Sequence, residues 1–491
     1  MKFKNALLLL SAFALCSIYA KGNDLNILDF GASRDSSRLS TQAINKAVEA
    51  CFKAGGGRVI IPAGNFKSGT ITLLNNVELF LERGATLYAS TDHRDFPRQQ
   101  QPAYRSQKDP GGWYALIYAE GATNIGISGP GTIDGQGAKQ VPRPVPKGAV
   151  NEDRDGRPRN ILFISCRKVS VQDITMLSSG IWNQHYLNCE NLIVNNIRVY
   201  NHSNRNNDAI DIDGCRHVVL SNSIMDTDDD GITLKSTGAA PSEDVVINNC
   251  IVSSFCAAIK CGTESTGGFK NIMISNCIVK PSACLTEPVF KTPRIGQVGI
   301  ALEIADGGIM DGVTVSNIII EGTECPIYVR LGNRARKHTD EAPEPPCGQM
   351  RNISLSDINV YNAGNYSSSI TGIPGSPIEN ITLSNIRIVN RGGLKQGEYT
   401  SDPLKVAELE KEYPAPDRWK NLPSSGFFIR HVKDIGLYGV TLHSLAADPR
   451  APVIADDVDN LYIPDLRSDR PDKEAIQLLH VRTFNRGNKT F

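Results

Sequence analysis

The chain has 491 residues, 52 basic and 52 acidic side chains, and 40% apolar residues. That length and apolar share supply a sizeable core. The zero formal charge offers no basic field for nucleic acid, and the only long apolar run, near the N-terminus, is too short to span a membrane.

Lys2 and Lys4 precede an apolar run from Leu7 to Ile18, and Tyr19-Ala20 then lead into the polar Lys21-Gly22-Asn23-Asp24. This order is that of a secretory signal over 1–20, cleaved near Ala20, which predicts a secreted or periplasmic protein. The bulky Leu15 argues against a lipid anchor at Cys16. From Ser40 to Ala54, the residues Ala43, Ile44, Ala47, Val48 and Cys51 fall on one helical face, with Ser40 as N-cap and Gly55 as stop.

Short alternating segments follow, such as Val218-Val219-Leu220-Ser221-Asn222 and Ile272-Met273-Ile274-Ser275-Asn276. Their closing Asn or Asp residues, at 196, 222, 249, 276, 317, 357 and 385, step by 26, 27, 27, 41, 40 and 28. Alternation marks strands and a fixed long period marks a solenoid. The expected fold is therefore all-β: one parallel β-helix over 21–491, right-handed as the family resemblance given below implies, with the N-terminal helix as cap over its open end. Asn suits the corners because it tolerates the left-handed conformation and can hydrogen-bond to the Asn of the next coil. The two longer steps imply long corner loops. Over about 390–425 the period lapses into the charged, Pro-rich Lys411-Glu412-Tyr413-Pro414-Ala415-Pro416, which reads as an insertion beside the groove.

Twelve cysteines include eleven beyond the signal, an odd number that leaves at least one thiol unpaired. Cys189 with Cys215, and Cys250 with Cys277, recur at coil spacing and allow either stacked thiols or disulfides. None has the spacing of a zinc site.

Asp208, Asp229 and Asp230 lie 21 and 22 residues apart, about one coil. Stacking would bring them together, and paired carboxyls are what hydrolysis of a sugar acetal requires. An Asp-rich turn can equally cap a strand or bind Ca2+. Asp211 and Asp213, alternating with Ile210 and Ile212, are expected to position other groups.

Asn206-Asn207-Asp208 and Asp229-Asp230 resemble the Asn-Thr-Asp and Asp-Asp motifs of glycoside hydrolase family 28, the polygalacturonase family. Asp29-Phe30-Gly31-Ala32, Gly55-Gly56-Gly57-Arg58-Val59 and Gly84-Ala85-Thr86-Leu87 are similar to its first coils. The resemblance implies inverting, metal-independent hydrolysis of a pectic chain without a cofactor, and a monomer is expected. It makes Asp229 the general acid, and Asp208 and Asp230 the groups that hold and deprotonate water. Two motifs differ. Cys256-Ala257-Ala258 stands where Gly-His-Gly is expected, and Ala301-Leu302-Glu303 where the family has a carboxylate-gripping Arg-x-Lys. Those departures point to exo action or a rhamnogalacturonan-type or galacturonoside substrate. Expected sugar contacts are Trp182, His185, His202, Asn206, Lys235, Lys260, Glu264, Glu303, Arg330 and Arg334. The competing readings are a Ca2+-dependent polysaccharide lyase on the same fold and a non-catalytic carbohydrate-binding solenoid.

Overall fold

The computed structural model describes residues 23–99, 103, 104, 106, 107, 114–141, 156–284, 295–487, 489 and 490. The signal segment and Cys16 lie outside the described residues. One parallel sheet system winds through the chain as a right-handed β-helix, each coil contributing about three short strands. A coil is seen in Gln184–Leu187, Glu190–Asn195 and Arg198–Asn201, which pair in register with Ile210–Asp213, Arg216–Ser221 and Ile224–Thr227 of the next. The terminal pairing of Ile476–Arg486 with Lys489–Thr490 is antiparallel.

Period-two alternation sends one side chain inward and the next outward. Ile210, Ile232, Ile259, Ile300 and Ile327 thus stack on successive coils, each at most 1% exposed. Removing such side chains from water at roughly 25 cal/mol per Å2 makes this column a main source of stability.

The expected Asn corners are present. Asn196, Asn222, Asn249, Asn276, Asn317, Asp357 and Asn385 all have φ between 51° and 56°, the left-handed region. Asn249 donates to Asn222 at 3.3 Å, Asn317 to Asn276 at 2.7 Å and Asn385 to Asp357 at 2.7 Å, so these three corners are tied to the ones below.

The cap helix α1 (Thr41–Lys53) buries all five predicted residues. Its N-terminus differs from expectation: Ser40 makes no side-chain capping bond. Its hydroxyl instead accepts from Ser33 N at 3.1 Å, tying the preceding loop. Gly55 follows at φ +96° and closes the helix by donating to Phe52 O at 3.0 Å.

The described cysteines are all free thiols. Cys189 N donates to Cys215 Sγ at 3.2 Å, so the stacked-thiol alternative holds. Residues 332–348 form one of the long corner loops, and the insertion leaves after Gly392 and returns at Ser424. Buried arginines pin that insertion. Arg430 donates to Glu408 Oε1 at 3.0 Å, to Val406 O at 2.9 Å and to Asp456 Oδ2 at 3.0 Å.

Candidate active site

Five strands of successive coils form the floor of the groove: β1 (Gln184–Leu187), β2 (Ile210–Asp213), β3 (Ile232–Ser236), β4 (Ala257–Ser265) and β5 (Val298–Ile304). Their inward residues fill the core, so the alternate positions face outward. His185, Asp211, Thr233, Lys260 and Ala301 make one outward row. Asp213 and Lys235 begin a second.

The three acids stand at the entrances to β2 and β3. Because Ile210 pairs with Ile232, Asp208 and Asp230 lie in register two residues earlier, joined by Ala209 N to Asp230 O at 3.0 Å. Asn207 folds the turn before Asp208 by accepting Ser203 N at 2.8 Å, and Asn201 holds the Asp208 carbonyl at 2.9 Å. Ser254 Oγ and Thr227 Oγ1 donate to the Asp229 carbonyl at 2.6 and 3.0 Å. Asn206 Nδ2 reaches Asp229 Oδ2 at 3.5 Å. The carboxylate of Asp230 accepts from Ala257 N at 3.1 Å and from Lys260 Nζ at 3.0 Å.

Crowding of acids in a poorly hydrated site favours their protonated forms. Burial, reinforced by Asp211, Asp229 and Asp230, lifts Asp208 well above the usual carboxyl range. Asp229, at the half-open floor, is pushed up to about 6 by burial and by Asp230, against the pull of Lys260. Burial takes Asp211 to about 8, with Lys235 opposing. The cluster therefore retains protons near neutrality, as acid catalysis requires.

Asp208, Asp229 and Asp230 line a cleft of about 570 Å3. Trp182, His185, Asn206, Lys235, Lys260, Glu264 and Glu303, all expected contacts, reach it. Lys235 Nζ sits 4.6 Å from the Trp182 ring centroid and 3.2 Å from Glu264 Oε2. His185 Nε2 meets Asp213 Oδ2 at 3.1 Å, and Thr237 Oγ1 donates to the same oxygen at 2.6 Å. Asp211 and Asp213 thus position Lys235 and His185, as expected of them.

Three expected contacts do not line the cleft. His202 faces the neighbouring column, with Nε2 at 2.9 Å from Asp226 Oδ1 and Nδ1 at 3.6 Å from Asp228 Oδ1. Burial disfavours its charge, but those two acids outweigh that and raise it to about 9. Arg330 is 2% exposed and donates to Gly372 O at 2.9 Å and to Glu408 O, with its guanidinium 5.0 Å from the Trp419 centroid. It anchors the insertion. Arg334 is spent on Asp306, at 2.5 Å. In each case a nearby partner took a side chain that coil spacing alone had aimed at the groove.

The cleft also contains residues that the sequence reading did not single out. Tyr413 comes from the insertion and takes a hydrogen bond from Lys260 Nζ at 3.0 Å on its hydroxyl. Arg336, two residues beyond Arg334, reaches Glu264 Oε1 at 2.5 Å. Cys256 lines the cleft beside Asp229. The Pro-rich break in periodicity flagged Tyr413's neighbourhood, and the alternation Arg334, Arg336 was the available signal for the second arginine.

Asp229, Asp230 and Cys256 each offer a ligand atom, all within 4.8 Å of one another. Ca2+ takes six to eight oxygen ligands. A thiol, two carboxylates and an adjoining Lys260 ammonium are a poor match to that donor set.

A carboxyl cluster of this kind, set in the groove of a parallel β-helix, is the architecture of a solenoid glycosidase. The chain belongs to glycosyl hydrolases family 28, whose model matches residues 51–405, and it is a glycoside hydrolase. It is 26% identical over 391 residues to a probable polygalacturonase of Vitis vinifera, covering 76% of each chain. It is 24% identical over 302 residues to an exo-poly-alpha-D-galacturonosidase of Dickeya chrysanthemi, covering 52% of this chain and 50% of that one. Among solved structures, the family 28 exopolygalacturonase of Yersinia enterocolitica matches with a TM-score of 0.68 at 20% identity, over 92% of this chain and 79% of that one.

Proposed function

We propose that the protein hydrolyses O-glycosidic bonds in pectic polysaccharide or oligosaccharide with inversion at the anomeric carbon. The observation that carries this reading is the in-register stack of Asp208 on Asp230 with Asp229 beside them, its carboxyl raised to about 6. Asp229 then protonates the leaving oxygen, Asp230 takes the proton of the attacking water, and Asp208 helps to hold that water. Lys260, bonded to Asp230, holds and orients the carboxylate that takes the water's proton.

The named relatives act on galacturonan, which supports the pectic substrate class. The insertion brings Tyr413 onto Lys260 and walls the groove, which favours attack at a chain end over attack within a chain. No helix among the described residues is long and apolar enough to cross a membrane. The order of Lys2, Lys4 and the apolar Leu7 to Ile18 supports a mature protein outside the cytoplasm.

A panel of pectic oligosaccharides, analysed by product mass, tests this reading. Release of saccharides one unit at a time supports it. Products carrying an unsaturated, ultraviolet-absorbing end would show a lyase, and no products from any member of the panel would show a binding protein.

A further inference from the structure

Three cations of the cleft, Lys235, Lys260 and Arg336, are already committed. Lys235 Nζ lies 3.2 Å from Glu264 Oε2 and 3.6 Å from Asp211 Oδ1. Lys260 Nζ lies 3.0 Å from Asp230 Oδ2. Arg336 is joined to Glu264 at 2.5 Å and to Asp306 at 3.5 Å. Burial costs the Lys235 and Lys260 ammonium groups, yet the surrounding acids overcome that cost and hold both above their usual range.

The acids are in surplus. Among the described residues, and leaving His185 aside, seven carboxyl side chains line the cleft against four cations, Lys235, Lys260, Arg336 and Arg418. Arg418 lies on the exposed face of the insertion. Asp208 Oδ1 and both oxygens of Asp211 are buried without a hydrogen-bond partner. Glu303, 2% exposed and bonded by Thr263 Oγ1 at 3.0 Å, adds a carboxyl to the same floor. Burial lifts it to about 7, Asp230 adding to the rise and Lys260 opposing it. Glu264, by contrast, is held well below the usual carboxyl range: burial opposes its charge, but Lys235, Arg336 and Arg334 outweigh that, so the positive charge at that end of the cleft is taken up by Glu264.

A sugar carboxylate entering here would meet cations already neutralised and acids already crowded. A hydroxyl or hydroxymethyl donates to those oxygen acceptors, and a methyl ester brings no negative charge to them. Building on the pectic hydrolase reading, we infer that the subsite over Glu303 and Lys260 takes an uncharged sugar unit, a neutral sugar or a methyl-esterified uronate, and that Glu303 excludes the free uronate. The chemistry that distinguishes the two ligands is one negative charge on an otherwise equal ring.

The test is binding of D-galacturonate and of its methyl ester to the wild-type protein at pH 7 and low salt, by ligand-observed NMR titration. The ester is expected to bind at least about tenfold more tightly, about 1.4 kcal/mol. The gap should shrink at high salt, which screens charge, and in Glu303→Gln. Equal or tighter binding of the acid overturns the inference, as does binding of neither. Should Glu303→Gln fail to fold, the wild-type comparison and its salt dependence still decide. Neither monosaccharide is cleaved, so this outcome is separate from whether pectic oligosaccharides are hydrolysed.

Discussion

On the floor of the cleft, Asp208 and Asp230 stand on consecutive coils in register, whereas the wall reaches Lys260 through Tyr413, 153 residues further along the chain. The floor follows from a repeat: identical coils place equivalent residues above one another, and a carboxyl at one corner is met by a carboxyl at the next. The wall has no repeat. Its position depends on buried arginines, Arg330 and Arg430, that bind backbone oxygens at its base. Floor chemistry is thereby built into the solenoid, while the shape of the opening can change with one insertion.

That contrast can be broken at either side. Asp229→Asn should lower kcat by about 10³-fold, within the range for loss of a general acid, measured by reducing-end release. Because burial and Asp230 penalise the Asp229 charge, the same variant should melt at an equal or higher temperature. A loss of activity accompanied by a large fall in Tm would instead make Asp229 structural.

The wall should fail differently. Arg430 is 4% exposed, and Arg430→Met leaves Glu408 and Asp456 without their shared partner. We expect a loss of about 3 kcal/mol, as for breaking a buried ion pair, with protease cleavage appearing within 393–423. Unchanged denaturant stability and protease resistance would remove Arg430 as the anchor.

Acidity sharpens the floor's role. Asp229, raised to about 6, is the acid only while protonated, so kcat/KM of the free enzyme should fall about tenfold per pH unit above that value. The stability sign is consistent: the native state binds more protons than the unfolded chain between about pH 4 and 6, so this group's contribution declines as pH rises through that window. A flat profile to pH 8 would exclude Asp229 as acid. The smallest effect belongs to the corners, where Asn249→Ala should cost about 1 kcal/mol and Asn249→Gly less, because φ is +55° there. Equal melting temperatures for the two would deny the left-handed strain.

The repeat was legible because each corner needs the same backbone conformation and each strand the same alternation. Asp208, Asp229 and Asp230 could be grouped from spacing, and Lys235 and Lys260 from the strands that carry them. His202 and Arg330 could not be placed, since spacing gives a side chain's coil but not its competing partners, Asp226 in one case and Glu408 in the other. Tyr413 was hidden for the opposite reason: an irregular segment has a location in the sequence and no period from which to read its reach.

The most direct measurement is the anomeric configuration of the sugar at the moment of release, followed by proton NMR before mutarotation. The account predicts a product of opposite configuration to the bond cleaved, as water attacks from the Asp208 and Asp230 face while Asp229 protonates the leaving group. Release with retained configuration would contradict it, because one of the three carboxylates would then be a nucleophile.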